Sequence, residues 1–388
     1  VAGAGEAVVS ERGALRWKRG HPWIYRSDVL ERPRAEAGVV RVLDPRGRAV
    51  GFALWSPESL ISLRMLTRGE EEFGPGFWAA RLDAALAYRR ELAPDANAYR
   101  LVHGEADGLP SLVVDRYEDV LVVQLLSAGV EAFRGEIVEA LRDRLEPAGI
   151  LARNDGAVRD LEGLPREVVV LSGSVPETVE VREGDVRYLA GLSGGQKTGA
   201  FLDQRENRAR AGALARGVAL DCFSYHGSFA LHLARAAERV IAVDSSAEAL
   251  ARSVDNARLN GLDNMEALEA NVFDFLRGEE SAGAQYDTIV LDPPAFAKRR
   301  DAIESALRGY KDINLRAMRL LSPGGYLCTF SCSYHISASL FHEMLEQAAA
   351  DAGRPMRWIE TRGQALDHPT IVQIPETGYL KGAILQAV

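Results

Sequence analysis

Over the first 72 residues, short apolar runs alternate with turn residues: GVVRVLD at 38–44, AVGFALW at 49–55 and LISLRML at 60–66. Their alternation and β-branched content predict strands, and PRG at 45–47 and SPES at 56–59 predict the turns between them. The pattern is that of a small β-rich domain, residues 1–72. EEEFGPG at 70–76 reads as a linker, and the apolar spacing of FWAARLDAALAYRREL at 77–92 predicts a helix. A second pattern spans 98–190. YRLVHGE, SLVVDRY and VLVVQLL predict strands, VEAFRGEIVEALRDRLE at 130–146 a helix, and ILARND, VVVLSG, TVEVREG and VRYLAGL further strands. Together these make a central α+β domain, residues 73–190, with no cluster of reactive side chains.

From about residue 217 the period changes. VALDCF, RVIAVD, YDTIVLD and YLCTFSC are apolar runs of strand length, and SFALHLARAA, AEALARSVDNARLN and YKDINLRAMRLL between them have helical spacing. Strands buried on both faces that alternate with helices predict a parallel, doubly wound α/β sheet. Residues 191–388 form this third domain.

A doubly wound sheet binds ligands beyond the C-terminal ends of its strands. There the sequence places Asp221, followed by Phe223, Ser224 and a turn through Gly227 into a helix; then Asp244 and Ser245; then Asn271, Val272 and Phe273 after a third strand, MEALEA; then Asp292. An acid about 20 residues beyond the turn can accept both ribose hydroxyls, and an amide with apolar neighbours can receive an adenine. Each such residue alone is as readily a helix cap. Their joint order implies a nucleoside-bearing cofactor, and the missing GxGxxG disfavours a nicotinamide dinucleotide. The fourth strand continues as Asp292-Pro293-Pro294-Ala295-Phe296. Two prolines stiffen that loop, so that its carbonyls can face a base on which Phe296 would stack. One strand later, Thr329-Phe330-Ser331-Cys332-Ser333 puts Cys332 just past a buried strand, placed as a nucleophile. Thiolate addition to C6 of cytosine makes C5 nucleophilic enough to take a methyl group, so a cysteine there suits C5 methylation.

Composition narrows the reading in two places. The three cysteines, Cys222, Cys328 and Cys332, form no CxxC pair, which argues against a disulfide framework or a metal site and fits a reducing, cytoplasmic setting. No apolar run is long enough to span a membrane, and the first residues lack the pattern of a secretory signal. The net charge of −9 counts against nucleic acid. Residues 1–70 nevertheless hold 12 Lys/Arg against 8 Asp/Glu. RWKRGHPWIYR supplies Arg16, Lys18, Arg19, His21 and Trp23, either as an RNA-binding surface or as a solvated turn with two core tryptophans.

These motifs resemble the RlmI-type family of bacterial large-subunit ribosomal RNA cytosine-5 methyltransferases. The resemblance runs nearly end to end, through RGHPWIY, YRLVHGEADGLPSLVVDRY, LLSAG, GQKTGAFLDQREN, DCFSYHGSFA, AVDSSAEAL, DPPAFAK, RGYKDIN, TFSCS, DHP and GYLKG. It implies an N-terminal PUA domain, a central EEHEE domain and a Rossmann-like class I methyltransferase domain that uses S-adenosyl-L-methionine, with large-subunit ribosomal RNA as substrate. It implies that Phe201, Asp203, Gln204 and Arg205 lie over the methionine end of the cofactor and that Cys332 is the nucleophile, acting with Asp292, Pro293 and Pro294. Lys298 and Lys311 join the RNA contacts, and Asp312, Asn314, Asp367 and His368 line the same face by analogy. Two departures stand out: Asn271 replaces the family's usual Asp, and no cysteine adjoins Pro294, so another group must assist release. An exocyclic-amine or purine methyltransferase, and an RNA assembly factor that retains the cofactor without turnover, stay open as alternatives. So does a homodimer.

Overall fold

The computed structural model of the chain describes residues 5–92, 94–194, 198–297 and 299–388. The chain divides into two compact units. One takes Val1–Val181, Ala190–Leu202 and Leu366–Gly378; the other takes Arg182–Leu189, Asp203–Ala365 and Tyr379–Val388. Among the described residues no helix is long and apolar enough to cross a membrane.

The first unit begins with a six-stranded sheet of short strands, including Gly38–Leu43, Ala49–Trp55 and Leu63–Met65. Alternate residues Val40, Val42, Ala53, Trp55 and Met65 point into its core. The segment open between a solvated turn and an RNA surface includes a helix, Glu11–Lys18. Its start is set by Ser10, whose Oγ accepts the Gly13 N–H at 3.1 Å. At eight residues it is too short a run for its period to announce it. The central sheet has five strands, with helices Phe77–Leu92 and Arg134–Leu145 packed on it. The helix expected over 130–146 is broken at Phe133, where the backbone leaves helical geometry (φ −107°, ψ 16°).

Leu366–Gly378 joins this unit through buried charge. Asp367 accepts the backbone N–H of Arg100 with Oδ2 at 2.8 Å, and its backbone carbonyl accepts Arg89 Nη2 at 2.8 Å. Arg89 in turn pairs with Asp107, and Arg100 with Asp115. His368 Nδ1 donates to Asp367 Oδ1 at 3.0 Å, and its ring lies against His103, whose imidazole burial drives down to a pKa of about 2.

In the second unit seven strands form one sheet: β1 (Val218–Cys222), β2 (Arg239–Asp244), β3 (Met265–Glu269), β4 (Tyr286–Leu291), β5 (Leu321–Ser331), β6 (Met356–Arg362) and β7 (Lys381–Ala387). Their order is β3-β2-β1-β4-β5-β7-β6. The first five are parallel, whereas β7 runs antiparallel to β5 and β6. Helices α1 (Arg205–Leu214), α2 (Ser228–Ala234), α3 (Ala247–Leu259), α4 (Val272–Ala282), α5 (Ile303–Leu320) and α6 (Ala338–Ala352) cover the sheet. Leu220, Cys222, Leu291 and Leu327 pack with α5 and α6, while Ala219, Val290, Cys328 and Phe330 pack with α2. Burial on both faces is why these strands read as continuous apolar runs rather than as alternation.

A buried ion pair ties α1 to the Arg182–Leu189 segment. Arg208 Nε donates to Glu183 Oε2 at 2.9 Å, Tyr188 donates to Oε1 at 2.7 Å, and His232 lies 3.3 Å from Oε2. Burial opposes ionisation of Glu183, but the Arg208 charge and the bonds from His232 and Arg208 outweigh it and hold the carboxyl well below its usual range. Such a carboxylate adds stability above its ordinary pKa, and that stability is lost as pH falls. Glu183→Gln leaves Arg208 buried without its counter-charge, and we expect a loss of about 3–5 kcal/mol in urea unfolding at pH 7. An unchanged urea midpoint would contradict this account of the pair.

Candidate functional site

The site begins at the C-terminal end of β1. Asp221 is 1% exposed; its Oδ2 accepts Ser224 Oγ at 2.6 Å and the Ala230 N–H at 2.9 Å. Its Oδ1 is buried without a hydrogen-bond partner. Burial pushes the pKa up to about 7 against those two hydrogen bonds, and the nearby charges of Asp292 and Asp244 push the same way. A buried, half-satisfied carboxyl at the head of a parallel sheet has the chemistry to receive a cation.

The turn after Asp221 is strained. Phe223 and Tyr225 have φ of +62° and +52°, values that side-chain-bearing residues rarely adopt. Gly227 follows at φ +84°, and a Cβ there would lie 2.3 Å from Ser253 Oγ, so only glycine fits. Asp244 braces the turn by accepting the Tyr225 N–H with Oδ2 at 2.9 Å, while Oδ1 accepts the Ser246 N–H at 2.9 Å. Each of its oxygens keeps a second lone pair, the number needed for a pair of vicinal hydroxyls. Ser245 beside it is exposed. Asn271 caps α4, Oδ1 accepting the Phe273 N–H at 3.0 Å and the Asp274 N–H at 3.4 Å. The capping bonds use both lone pairs of Oδ1, so a ligand role is compatible with them only through the amide nitrogen. Val272 is buried and Phe273 is partly buried.

Asp292, just past β4, accepts Gln204 Nε2 at 2.8 Å, and Gln204 Oε1 accepts Asn207 Nδ2 at 2.6 Å. Arg205 is buried and donates to Glu206 at 2.8 Å. Phe201 belongs to the first unit. The loop after Asp292 is locked to the loop after β5: Cys332 Sγ lies 4.0 Å from the Pro293 carbonyl oxygen, and the Ala297 N–H donates to Ser333 Oγ at 3.2 Å. Tyr310 on α5 shares a 2.9 Å hydrogen bond with Ser333 Oγ. Cys332 is partly exposed, unlike the fully buried Cys222 and Cys328, whose thiols burial pushes well above the ordinary range and up to about 12 respectively.

Other expected residues are occupied differently. Phe296 sits in an aromatic cluster 4.5 Å from Tyr310, 5.9 Å from Phe273 and 6.3 Å from Phe223 (centroid distances), so its faces are largely taken. Lys311 pairs with Asp351 at 2.7 Å, Asp312 with Arg316 and Arg277, and Asn314 is buried against the Tyr310 carbonyl. Asp367 and His368 are in the first unit, in the buried network already described. Lys298 lies outside the described residues. Of the N-terminal group, His21 contacts Glu376 at 3.0 Å, Trp23 donates to Glu105 at 2.9 Å, and Arg16 stacks on Tyr25. Lys18 and Arg19 are exposed, and Lys18 lines a groove of about 670 Å³ with Trp17, Arg48 and Arg68. Three residues with no earlier role, Tyr310, Ser333 and Lys381, support the Cys332 loop. Only the β5–β7 register, which sets Ser331 opposite Lys381, brings the last of them there.

Comparison with known proteins gives this arrangement its context. The profile of the S-adenosylmethionine-dependent methyltransferase family matches residues 99–375, and a PUA-like domain matches 8–68. Ribosomal RNA large subunit methyltransferase I of Tolumonas auensis is 42% identical over 381 residues, covering 95% of this chain and 96% of the relative. The chain belongs to this family. The same-named protein of Shewanella denitrificans is 41% identical over 378 residues, covering 95% of each chain. Among solved structures, a SAM-dependent methyltransferase from Streptococcus mutans superposes with a TM-score of 0.83 at 21% identity, covering 98% of this chain and 99% of that one. A methyltransferase complexed with SAH reaches 0.85, also at 21% identity and with the same coverage. These two likenesses establish the α/β fold.

The family's cofactor carries a cationic methionine end and a ribose, and the residues at the strand ends fit it. The orphaned Asp221 oxygen suits the α-ammonium, and Asp244 suits the two ribose hydroxyls. S-Adenosylhomocysteine affinity measured by calorimetry is then expected to fall about tenfold per pH unit below pH 7, where Asp221 is protonated, and to level off above it. Asp221→Asn flattens that dependence. A wild-type affinity flat from pH 5 to 8 would exclude Asp221 as the cation's partner.

Proposed function

We propose that this chain transfers the methyl group of S-adenosylmethionine to C5 of a cytosine in large-subunit ribosomal RNA, in the cytoplasm, with Cys332 as nucleophile. Its relatives are named as ribosomal RNA large subunit methyltransferases, which supports the RNA substrate. The observation that carries the base and position is Cys332 itself: a partly exposed thiol at the end of β5, 4.0 Å from the Pro293 carbonyl of the loop that follows Asp292.

In this reading the cofactor supplies an electrophilic methyl group when bound, and the protein makes the base reactive. Cys332 Sγ, as thiolate, bonds to C6; the C5=C6 electrons shift onto C5, which takes the methyl group. Transfer of the C5 proton to water returns the C5–H electron pair to C5=C6 and expels the thiolate unchanged. Pro293 and Pro294 keep the neighbouring loop rigid, with carbonyl oxygens available to the exocyclic amine of cytosine. Asp221, Asp244 and Asn271 hold the cofactor, with Gln204 buttressing Asp292. The N-terminal 72 residues act as the RNA-binding module, with Lys18, Arg48 and Arg68 along their groove as the phosphate contacts.

The test is methyl transfer from labelled S-adenosylmethionine to unmodified large-subunit ribosomal RNA, with the product base identified by mass spectrometry. We expect 5-methylcytosine from the wild type and a loss of at least about a thousandfold in Cys332→Ala. Retained transfer in Cys332→Ala to an exocyclic amine or a purine would replace this reading with direct N-methylation. No transfer by the wild type to any RNA would make the chain a cofactor-retaining binding factor.

A further inference from the structure

Cys332 needs a counter-charge to act at neutral pH, and β7 brings one. Lys381 is the first residue of β7, paired in register with Ser331, the residue before Cys332. Its ammonium donates to the Ser333 carbonyl and to the Tyr379 carbonyl, each at 2.7 Å. These two bonds aim the side chain at the Cys332 loop and fix it there, with one N–H still to place. Both acceptors are neutral backbone carbonyls, and among the described residues no carboxylate forms an ion pair with it. A partly buried ammonium held by neutral groups lacks an anion, and the thiol beside it can become one.

We propose that Lys381 is the counter-charge of Cys332, a positioning residue that keeps the nucleophile as a thiolate before attack and receives it again on expulsion. The proposal rests on Cys332 being the nucleophile. On ionisation the Sγ proton goes to water, and Lys381 keeps all three of its own. When the covalent bond to C6 breaks, the electron pair returns to Sγ beside the same ammonium, so neither group gains or loses a proton over the cycle.

The surroundings agree. Burial lowers the Lys381 pKa to about 8, and the charge of Cys332 is what opposes that fall, so the two ions stabilise each other. Among the described residues, ionisable groups bonded to this loop or to its neighbours include Tyr310 on α5, Asp292 at the end of β4 and Tyr379, whose hydroxyl donates to Asp203 at 2.5 Å. Tyr310 is kept neutral by burial, which raises its pKa, and its hydroxyl is bonded to Ser333. Asp292 is engaged by Gln204. Lys381 is therefore the cation of this set.

The rate of Cys332 alkylation by iodoacetamide as a function of pH reads the thiolate directly, without RNA or turnover. Cys222 and Cys328 are fully buried, so peptide mapping by mass spectrometry isolates Cys332. The wild-type midpoint is expected at least about one unit below the ordinary thiol value of about 8.5. Lys381→Met is expected to raise it by about one unit or more, slowing alkylation about tenfold at pH 7, and Lys381→Arg to restore most of the shift. Thermal melting and S-adenosylhomocysteine affinity check that the variants are folded. A wild-type midpoint at or above the ordinary value overturns the proposal even if Lys381→Met does not fold, and so does an unchanged midpoint in folded Lys381→Met. Full methyl transfer by Cys332→Ala would instead remove the nucleophile reading while leaving the alkylation result standing.

Discussion

The parallel register of β1 to β5 is the constraint on which the site depends. Cys222 stands opposite Val243 on one side and Leu291 on the other, and Leu291 stands opposite Thr329, so four strands finish nearly level. Every residue just past those ends, Asp221 and its turn, Asp244, Asp292 and Cys332, is delivered to one edge by backbone hydrogen bonds that no side chain has to make. A shift of register by one residue would turn each of these side chains to the wrong face. The apolar layers on both faces of the sheet hold that register in place, and the chemistry is carried on their rim.

Given that frame, charge organises the rest. The carboxyls of Asp244 and Asp292, both half-buried, act on the fully buried Asp221, which is left with a pKa of about 7 and one oxygen unmatched. Such a cluster is costly until a cation arrives, which is the character of a binding site rather than of a core. The α-ammonium of the family's cofactor would meet that need on the β1 and β2 side of the sheet. On the other side the DPP and SCS loops are fastened to each other by Ser333, with Tyr310 behind it. The strained turn at Phe223 and Tyr225 follows β1 directly and is held by Asp244.

Much of this was legible in the sequence, and the exceptions have physical causes. The doubly wound sheet announces itself because buried strands and amphipathic helices alternate, and the strand-end acids follow from the fold's geometry. The helix at Glu11–Lys18 was hidden because it is only eight residues long and its only buried residue is Gly13. Asn271 was legible as a strand-end amide but not as the cap that spends its oxygen on α4. Phe296 reads as a free aromatic until Tyr310, Phe273 and Phe223 are seen around it. The attachment of Leu366–Gly378 to the first unit depends on Asp367 meeting Arg89 and Arg100 across more than 250 residues of chain, which no local pattern encodes. Lys381 was visible within a motif but without a role, because its partner is set by antiparallel pairing of β7 with β5.

The account stands or falls on whether Cys332 forms a bond to the base. Incubating the protein with S-adenosylmethionine and ribosomal RNA carrying 5-fluorocytidine blocks loss of the C5 substituent, so a covalent complex accumulates if the thiolate attacks C6. Mass spectrometry of the digested complex is predicted to show a nucleotide adduct on the peptide that contains Cys332. Turnover of unmodified RNA together with no adduct on that peptide would contradict covalent catalysis by this residue.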